Sequence, residues 1–207
     1  MKIFCFAEVV ILVLALVIAV LRSLPGPVFF PLRALAIIYA DLFRGIPTIL
    51  VIYILGFGAP ALQLSGVPTS TMFWGVVSLV LVYSAYVSEV YRAGIESVHP
   101  SQEAAARSLG LSRGQALRFV VLPQAVRRVV PPLLNDFIGL QKDSALVALL
   151  GTVEAFRQSQ IDVAATFNYT PYLATALLFV AITIPLARFT DWLVARDRRR
   201  QLAGRAA

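Results

Sequence analysis

Five long runs of apolar residues constrain what this chain can fold into more than any other feature of its sequence. They lie at about 4–21, 31–59, 69–92, 126–150 and 171–194. A helix needs about 20 mostly apolar residues to cross the hydrocarbon core of a bilayer. The sequence therefore predicts an all-α integral membrane protein with about five transmembrane helices, in which residues 1–207 form a single membrane domain.

The composition agrees with this prediction and excludes several other classes of protein. Of the 207 residues, 59% are hydrophobic and 14% are charged, whereas soluble domains have about 25% charged residues. Cys5 and His99 are the only residues of their kinds, which excludes a disulfide framework and a zinc site built on paired histidines. Neither Lys2 nor Lys142 follows a glycine, so the chain lacks a phosphate-binding loop. We expect no metal site, no catalytic residue and no ATP hydrolysis in this chain.

The first apolar run, FCFAEVVILVLALVIAVL, has the length of a signal-peptide core as well as that of a membrane span. Arg22 follows it directly, then a Pro25-Gly26-Pro27 turn, and no small-residue cleavage site is seen after it. We therefore interpret this run as the first membrane span.

Positive charge is unequally divided between the two faces that five spans create. One face collects Arg22, Arg33, Arg92, Arg107, Arg113, Arg118, Arg127, Arg128 and the tail from Arg196 to Arg205, and the other has Lys2 and Arg157. Because cytoplasmic loops carry an excess of Lys and Arg, the loop at about 93–124 and the C-terminus are predicted to be cytoplasmic, and the N-terminus outside. We interpret the basic tail as a positive-inside anchor, and lipid or nucleic-acid binding is the less favoured alternative.

The predicted cytoplasmic loop has the pattern of two short helices joined by a glycine turn. Ser101 is a typical N-cap, and the alanines that follow favour a helix. Gly110 is typical of the left-handed residue that ends a helix. Ser112 and Gln115 have the spacing of a capping box, which predicts a second helix, and Pro123 marks the end of that helix or a break in it.

Two interpretations of this loop differ in what it contacts. In the first interpretation the loop is an amphipathic hairpin that lies on lipid headgroups. In the second it is a docking element for a soluble partner. The small alanine face carries no Trp or Phe, so it suits close approach in a protein groove better than insertion into lipid. We therefore favour docking.

The stretch EAAARSLGLSRGQALRFVVLP resembles the EAA loop of the permease subunits of ATP-binding-cassette (ABC) importers. That family's pattern is E-A-A, three residues, Gly, nine residues, Ile, one residue and Leu-Pro. The positions that match it here are Ala105, Ala106, Gly110, Val120, Leu122 and Pro123. Three further stretches, DLFRGIPTILVIY, YVSEVYRAGIESV and LLNDFIGLQKDSALVALLG, are similar, in the same order, to segments typical of the polar amino acid branch.

The resemblance implies a type I ABC-importer-like permease that works by alternating access in a bacterial cytoplasmic (inner) membrane. The implied substrate is a polar or charged amino acid. The implied partners are an ABC ATPase that binds ATP and Mg²⁺, a second permease, either identical or homologous, and an extracytoplasmic solute-binding protein. Nucleic acid is not an expected partner, and this chain itself needs no cofactor. The residues implied at the ATPase contact are Pro100, Glu103, Ala105, Ala106, Gly110, Leu122 and Pro123.

The acid of this loop departs from the family pattern by one position. Counting back six residues from Gly110 reaches Ala104, whereas the acid here is Glu103. A shift of one residue rotates a side chain by about 100° around a helix. The departure puts that single contact in doubt and leaves open whether Glu103 replaces it.

Several ionisable residues lie within or close to the predicted spans, and these are Glu89, Arg92, Asp136, Lys142 and Asp143. Charged groups are costly in lipid, so we expect these side chains to face protein or water. Two interpretations stay open. The residues either line a path for a zwitterionic or charged amino acid, or pair with one another to fix helix packing or a subunit interface.

Two further segments have open interpretations. Arg44, Gly45 and Pro47 are typical of a helix entry on the cytoplasmic side, where Arg44 binds either an acidic partner or a lipid headgroup. The polar stretch 152–170 predicts a short external helix that either receives the binding protein or caps the bundle.

The alternative function is a non-transporting membrane scaffold or sensor that recruits a cytoplasmic partner through the same loop. Such a protein has no use for charged residues inside the membrane, which favours transport. An intramembrane enzyme would need a nucleophile with a base, or a set of metal ligands, and the sequence offers neither.

Overall fold

The computed structural model describes the backbone of residues 2–24 and 26–206 and the side chains of residues 5–24, 26–197 and 199. Its α-helices, in chain order, are α1 (Lys2–Ser23), α2 (Phe30–Gly45), α3 (Thr48–Tyr53), α4 (Ala59–Ala61), α5 (Thr71–Glu96), α6 (Pro100–Ser108), α7 (Arg113–Ala116), α8 (Leu122–Asp143), α9 (Ala155–Thr166) and α10 (Thr170–Ala206). Two π-helical turns, Ile54–Gly58 and Leu117–Val121, and a 3₁₀ segment, Ser144–Leu150, complete the helical elements of the described chain. The predicted all-α class is confirmed, since the described residues contain no strand.

Helix α5 is the centre of the bundle, because α1, α2, α3 and α8 all pack against it. Small residues occupy much of its buried face, among them Gly75, Ser78, Ala85, Ser88 and Gly94. Small side chains let helix backbones approach closely in a membrane. The buried hydroxyl groups of Ser78 and Ser88 donate to carbonyl oxygens of their own helix, at 2.7 Å and 2.8 Å, and Ser78 also lies within hydrogen-bond distance of Val51 O on α3, at 3.3 Å.

Helix α1 shows how the apolar runs divide between protein and lipid. Ala7, Ile11, Ala15 and Ile18 follow one another at helical spacing and are buried. Large apolar side chains cover the other faces of the same helix and are exposed, for example Phe6 and Val13. A helix that is apolar on all sides is expected where one face meets protein and the others meet lipid.

Three helices are long and apolar enough to cross a bilayer by themselves, and they are Cys5–Ser23, Thr71–Glu96 and Thr170–Asp197. They correspond to the first, third and fifth predicted spans. The last of them continues as a helix through Pro185. Pro25, the side chain of Lys2 and the side chains of most tail arginines lie outside the described residues.

The second predicted span, 31–59, is wrong as a single helix. Helices Phe30–Gly45 and Thr48–Ala61 meet at 103°, and together they make at most one broken span. The break has a local cause. Ile46 has an extended backbone, with φ −96° and ψ 131°, because the ring of Pro47 disfavours the helical conformation in the residue before it.

The fourth predicted span, 126–150, does not appear as one apolar helix in the described chain. Helix α8 ends at Asp143, and the chain continues as the 3₁₀ segment. Charged side chains interrupt the apolar character of α8, and they are Arg127, Arg128, Asp136, Lys142 and Asp143. Among the described residues only three helices, or four with the bent pair, are apolar enough for a span, so the expectation of five is not met by length and composition alone.

Candidate functional site

The first helix of the EAA loop (about 93–124) begins two residues earlier than the sequence predicted. His99, not Ser101, is the N-cap of α6, because its Nδ1 accepts a hydrogen bond from the Ser101 backbone N–H at 3.2 Å. Pro100 occupies the first turn of the helix, where its fixed φ and missing N–H are well tolerated. The chain therefore leaves α5 and enters α6 within a few residues.

The predicted glycine turn is confirmed. Gly110 has φ +87°, a left-handed conformation that a glycine adopts without a steric penalty. The Gly110 N–H donates to Arg107 O at 3.0 Å, and the Leu111 N–H donates to Ala106 O at 3.3 Å. These two hydrogen bonds form a Schellman motif, which satisfies the last carbonyl groups of α6 and turns the chain sharply.

The predicted capping box of the second helix is confirmed as well. The Ser112 hydroxyl oxygen accepts from the Gln115 N–H at 3.3 Å, and the Gln115 side-chain oxygen accepts from the Ser112 N–H at 2.9 Å. The chain does not end or break its helical path at Pro123. A π-helical turn carries it from α7 into α8, and such a turn accommodates the backbone hydrogen bond that a proline cannot make.

Glu103, the shifted acid, lies next to a guanidinium group of the same loop. Its carboxylate is 3.7 Å from Arg113 Nε, and its side chain keeps 37% of its surface exposed. An exposed pair of this kind contributes little to stability, but it links the start of α7 to α6. Glu103 therefore contacts Arg113 within the loop and also remains partly accessible to solvent.

The alanines of the loop do not share one environment. Ala106 is buried inside this chain, so its small size is required by internal packing. Ala105 is exposed and is free to meet a partner. Leu109 is 86% exposed, which makes it the most exposed large apolar side chain of the loop. Leu122, Pro100 and Pro123 are also exposed.

The two ends of the loop are held together by contacts between α5 and α8. Arg128 Nη1 donates to the Ser97 backbone oxygen, which follows the last residue of α5. The buried Val129 side chain lies against Gly94 so closely that a Cβ there would overlap Val129 Cγ2. Because the helices touch at this point, a displacement of the loop reaches both helices.

Glu89 and Arg92, two of the predicted ionisable residues, belong to one ionic cluster. The Glu89 carboxylate contacts Arg22, Arg44 and Arg92, which lie on α1, α2 and α5. We call these residues the Glu89 cluster. The acidic partner that the sequence left open for Arg44 is thus Glu89, although Arg44 remains partly exposed.

The other predicted ionisable residues are separated from that cluster and from one another. The Tyr83 hydroxyl donates to the Asp143 carboxylate at 3.0 Å. Asp136 Oδ2 is buried and has no hydrogen-bond partner within the described part of the chain. Lys142 is exposed and lines a groove of about 620 Å³ between α8, α9 and α10, together with Phe156 and Tyr172. The structure shows ion pairs for Glu89 and Arg92, whereas Lys142 is exposed at a ligand-sized groove; a role of any of these residues in the substrate path stays a prediction.

No group of three His, Cys, Asp or Glu residues is arranged to hold a metal ion among the described side chains.

The sequence interpretation missed three residues that matter at this site, namely Arg22, Tyr83 and Gly94. Arg22 was assigned only to the end of the first span. The sequence did contain an indication of the role of Arg22, because Arg22 and Glu89 carry opposite charges at the ends of two predicted spans that lie on the same face. Tyr83 and Gly94 had no such signal, because an apolar helix contains many aromatic and small residues without a specific role.

Comparison with known proteins gives a consistent result over nearly the whole chain. Residues 9–199 match the family described as binding-protein-dependent transport system inner membrane component. The probable glutamine ABC transporter permease protein GlnM of Bacillus subtilis is 35% identical over 89% of this chain and 83% of its own length. The arginine transport system permease protein ArtQ of the same organism is 33% identical over 95% of this chain and 87% of its own length.

Two solved structures resemble the fold. An amino acid ABC transporter crystallised with histidines has a TM-score of 0.83 and 31% identity, over 94% of this chain and 89% of that chain. The MetNI methionine ABC transporter has a TM-score of 0.71 at 18% identity, which shows likeness of the fold only.

Proposed function

We propose how this chain couples transport to ATP hydrolysis. The premise is that the chain belongs to the family of binding-protein-dependent transport system inner membrane components. Within that family it is a permease subunit of an amino acid ABC importer. It is a multi-pass membrane protein, and its role is transport rather than catalysis. The comparisons give no support to the alternative of a non-transporting scaffold or sensor.

The EAA loop is the proposed contact with a separate ABC ATPase, which binds ATP and Mg²⁺. The observation that carries this proposal is the set of hydrogen bonds and contacts that hold the loop in one arrangement. Both of its helices have N-terminal caps, a Schellman turn joins them, and close contact between α5 and α8 anchors its two ends. A rigid element transmits displacement, so ATP-driven closure of the ATPases would swing α5 and α8 and alternate the access of the substrate path.

The proposed docking surface is the exposed side of α6 and its turn. Pro100, Glu103, Ala105 and Gly110 lie there, and the exposed Leu109 adds an apolar side chain suited to a protein groove. Leu122 and Pro123 extend the surface to the start of α8. Ala106 supports it from inside, since it is buried within this chain.

The proposed orientation has the N-terminus outside and the EAA loop and C-terminus in the cytoplasm, within a bacterial inner membrane. The excess of arginine near the loop and tail supports it. The remaining proposed partners are a second permease, identical or homologous, and an extracytoplasmic solute-binding protein. The proposed substrates are polar or charged amino acids, which is supported by the relatives named for glutamine and arginine.

The docking proposal is tested with Ala105→Trp. In a tight groove the indole prevents close approach, so we expect the ATPase to be lost when this chain is purified and ATP-dependent transport to stop. Ala164→Trp is the matched control for ATPase co-purification, because Ala164 is likewise an exposed helical alanine but lies on α9, away from the loop. Transport is not compared in this control, since α9 lies in the stretch that is a candidate contact for the binding protein. Unchanged ATPase co-purification by the Ala105 variant would refute a tight groove.

The substrate proposal is tested by transport. The complex of this permease with its ATPase is placed in proteoliposomes, and uptake of labelled glutamine, arginine, histidine and, for comparison, leucine is measured with the binding protein present. We expect uptake of at least one polar or charged amino acid that requires ATP. Uptake of apolar amino acids alone, or no ATP-dependent uptake of any amino acid, would contradict the proposal.

A further inference from the structure

One carboxylate in this protein receives guanidinium groups from three different helices. Arg22 Nη1 on α1 contacts Glu89 Oε1, and Arg44 Nη1 on α2 lies 3.1 Å from the same oxygen. Arg92 binds the other oxygen, with its Nη2 at 2.7 Å and its Nε at 3.0 Å. Both carboxylate oxygens of Glu89 are therefore paired with arginine side chains, and these pairs connect α1, α2 and α5.

The Glu89 cluster is protected from water at its centre and open at its edge. The side chains of Glu89 and Arg22 keep 15% and 11% of their surface exposed, whereas Arg44 and Arg92 keep 39% and 40%. Charge pairs at a desolvated centre are screened less than exposed pairs. Glu89 faces three guanidinium groups, and Glu96 pairs with Arg92 only at the exposed edge, so neutralising Glu89 leaves Arg22, Arg44 and Arg92 without the carboxylate that separates them.

The cluster lies where the broken helix pair begins. Arg44 is in the last turn of α2, immediately before the 103° break, and Arg22 is in the last turn of α1. Glu89 is about two turns from the end of α5, and only three residues separate α5 from α6 of the EAA loop. Glu89 therefore stands between the loop and the break.

We propose that Glu89 is a positioning residue of the transport cycle, whose carboxylate holds the end of α2 at the break against α5, so that displacement of the EAA loop moves the broken helix pair. This inference rests on the proposed function of the loop. It assigns Glu89, Arg44 and Arg22 to the transmission of movement rather than to the substrate path.

A second contact between the same helices makes the proposal testable without unfolding the protein. The Tyr39 hydroxyl on α2 lies 2.7 Å from Ser84 Oγ and donates to Leu81 O at 2.9 Å. Phe43 and Ile46 also pack against the apolar core. When the ionic contact is removed, these contacts keep α2 beside α5, while the last turn of α2 loses its ionic link to α5 and is held by apolar packing.

The experiment compares Glu89→Gln with wild type in proteoliposomes that hold the full complex with its ATPase and binding protein. The measured quantity is the number of amino acid molecules imported per ATP hydrolysed. We expect this ratio to fall about tenfold, within the range of about 5- to 150-fold typical of coupling between sites, while ATPase co-purification stays unchanged. A role in folding alone would lower the yield of the complex and leave the ratio of the assembled fraction unchanged.

Two further variants complete the test. Arg44→Gln removes only the contact to α2 and leaves Glu89 paired with two arginines, so it should assemble even where Glu89→Gln does not, and it should lower the same ratio. Glu96→Gln is the matched control, because Glu96 lies on the same helix, pairs with Arg92 and is 61% exposed. A normal ratio in Arg44→Gln, or an equal fall in Glu96→Gln, overturns the proposal.

A distance measurement separates this inference from the proposed function. Spin labels are placed by Leu42→Cys on α2 and Ser97→Cys after α5, both exposed positions, in a chain that carries Cys5→Ser. With Glu89 present, the distance between the two spin labels should be the same in the nucleotide-free and ATP-trapped complexes. With Glu89→Gln, the distribution of this distance should broaden or shift between the two complexes. A change of distance that is equal with and without Glu89 overturns the inference, whether or not any amino acid is transported.

Discussion

Replacing Gly94 with alanine places a methyl group at the point where α5 and α8 touch, just above the EAA loop. An alanine Cβ there would overlap Val129 Cγ2, with the Ala125 carbonyl oxygen 3.6 Å away. Carbon atoms in ordinary contact are about 3.5–4.0 Å apart, so the two carbons must move apart by about 1.5 Å or more, which requires either that the helices separate or that Val129 rotates. Valine has one strongly preferred rotamer in a helix, so rotation is costly as well.

The expected cost follows from overpacking. Extra methyl groups in a packed interior cost about 1–3 kcal/mol, and we expect Gly94→Ala to lower the free energy of unfolding by that amount. Val129→Ala deletes the side chain that the new methyl group overlaps. The double variant Gly94→Ala/Val129→Ala should therefore be more stable than the sum of the single effects predicts, by about 0.5–3 kcal/mol.

The assay is equilibrium unfolding of the purified permease in mixed micelles of lipid and SDS, followed by tryptophan fluorescence. Gly114→Ala is the control, because no heavy atom lies within 4 Å of a Cβ built at Gly114. It should be neutral or slightly stabilising, since alanine favours a helix over glycine. Additive effects of Gly94→Ala and Val129→Ala, to within about 0.5 kcal/mol, would refute the reasoning that the two side chains compete for one space.

Two local contacts give further predictions. Gly110→Ala forces a side chain into φ +87°, so the free energy of unfolding should fall by about 1–2 kcal/mol and amide hydrogen exchange in the EAA loop should rise. Unchanged exchange there would show that the turn is not held in this conformation. Tyr83→Phe removes the hydroxyl that donates to Asp143, so a partly buried carboxylate loses a hydrogen bond. The free energy of unfolding should then fall by about 1–3 kcal/mol, and no loss of stability would mean that water replaces the hydroxyl.

The predictions that the structure confirmed depend on residues close together in the chain. The capping box at Ser112 and the turn at Gly110 need only a few neighbouring residues, so their pattern is visible in the sequence. The N-cap of α6 was wrong by two residues, because Pro100 and His99 offered an equally local solution that starts the helix earlier. Competition between neighbouring caps decides such boundaries, and the pattern of one cap alone does not.

The broken second span shows a different kind of error. The stretch 31–59 is mostly apolar despite Arg33, Asp41 and Arg44, and a count of apolar residues does not show that the helix changes direction. Ile46 and Pro47 already indicated a boundary by local rules, but the angle of 103° depends on what each half packs against. Tyr39 holds one half to Leu81 and Ser84, and Ser78 donates to Val51 in the other half at 3.3 Å.

By itself the sequence determined the helical class, the apolar runs, the capped loop and the family resemblance, because each depends on composition, period or spacing along the chain. Tertiary structure alone decided which charges meet. Arg22 and Glu89 are 67 residues apart, and Tyr83 and Asp143 are 60 apart. The same distinction separates Ala105 from its buried neighbour Ala106, since burial depends on contacts with other helices. Contacts between distant residues form only when the helices pack, and residue spacing along one chain does not encode which faces will meet.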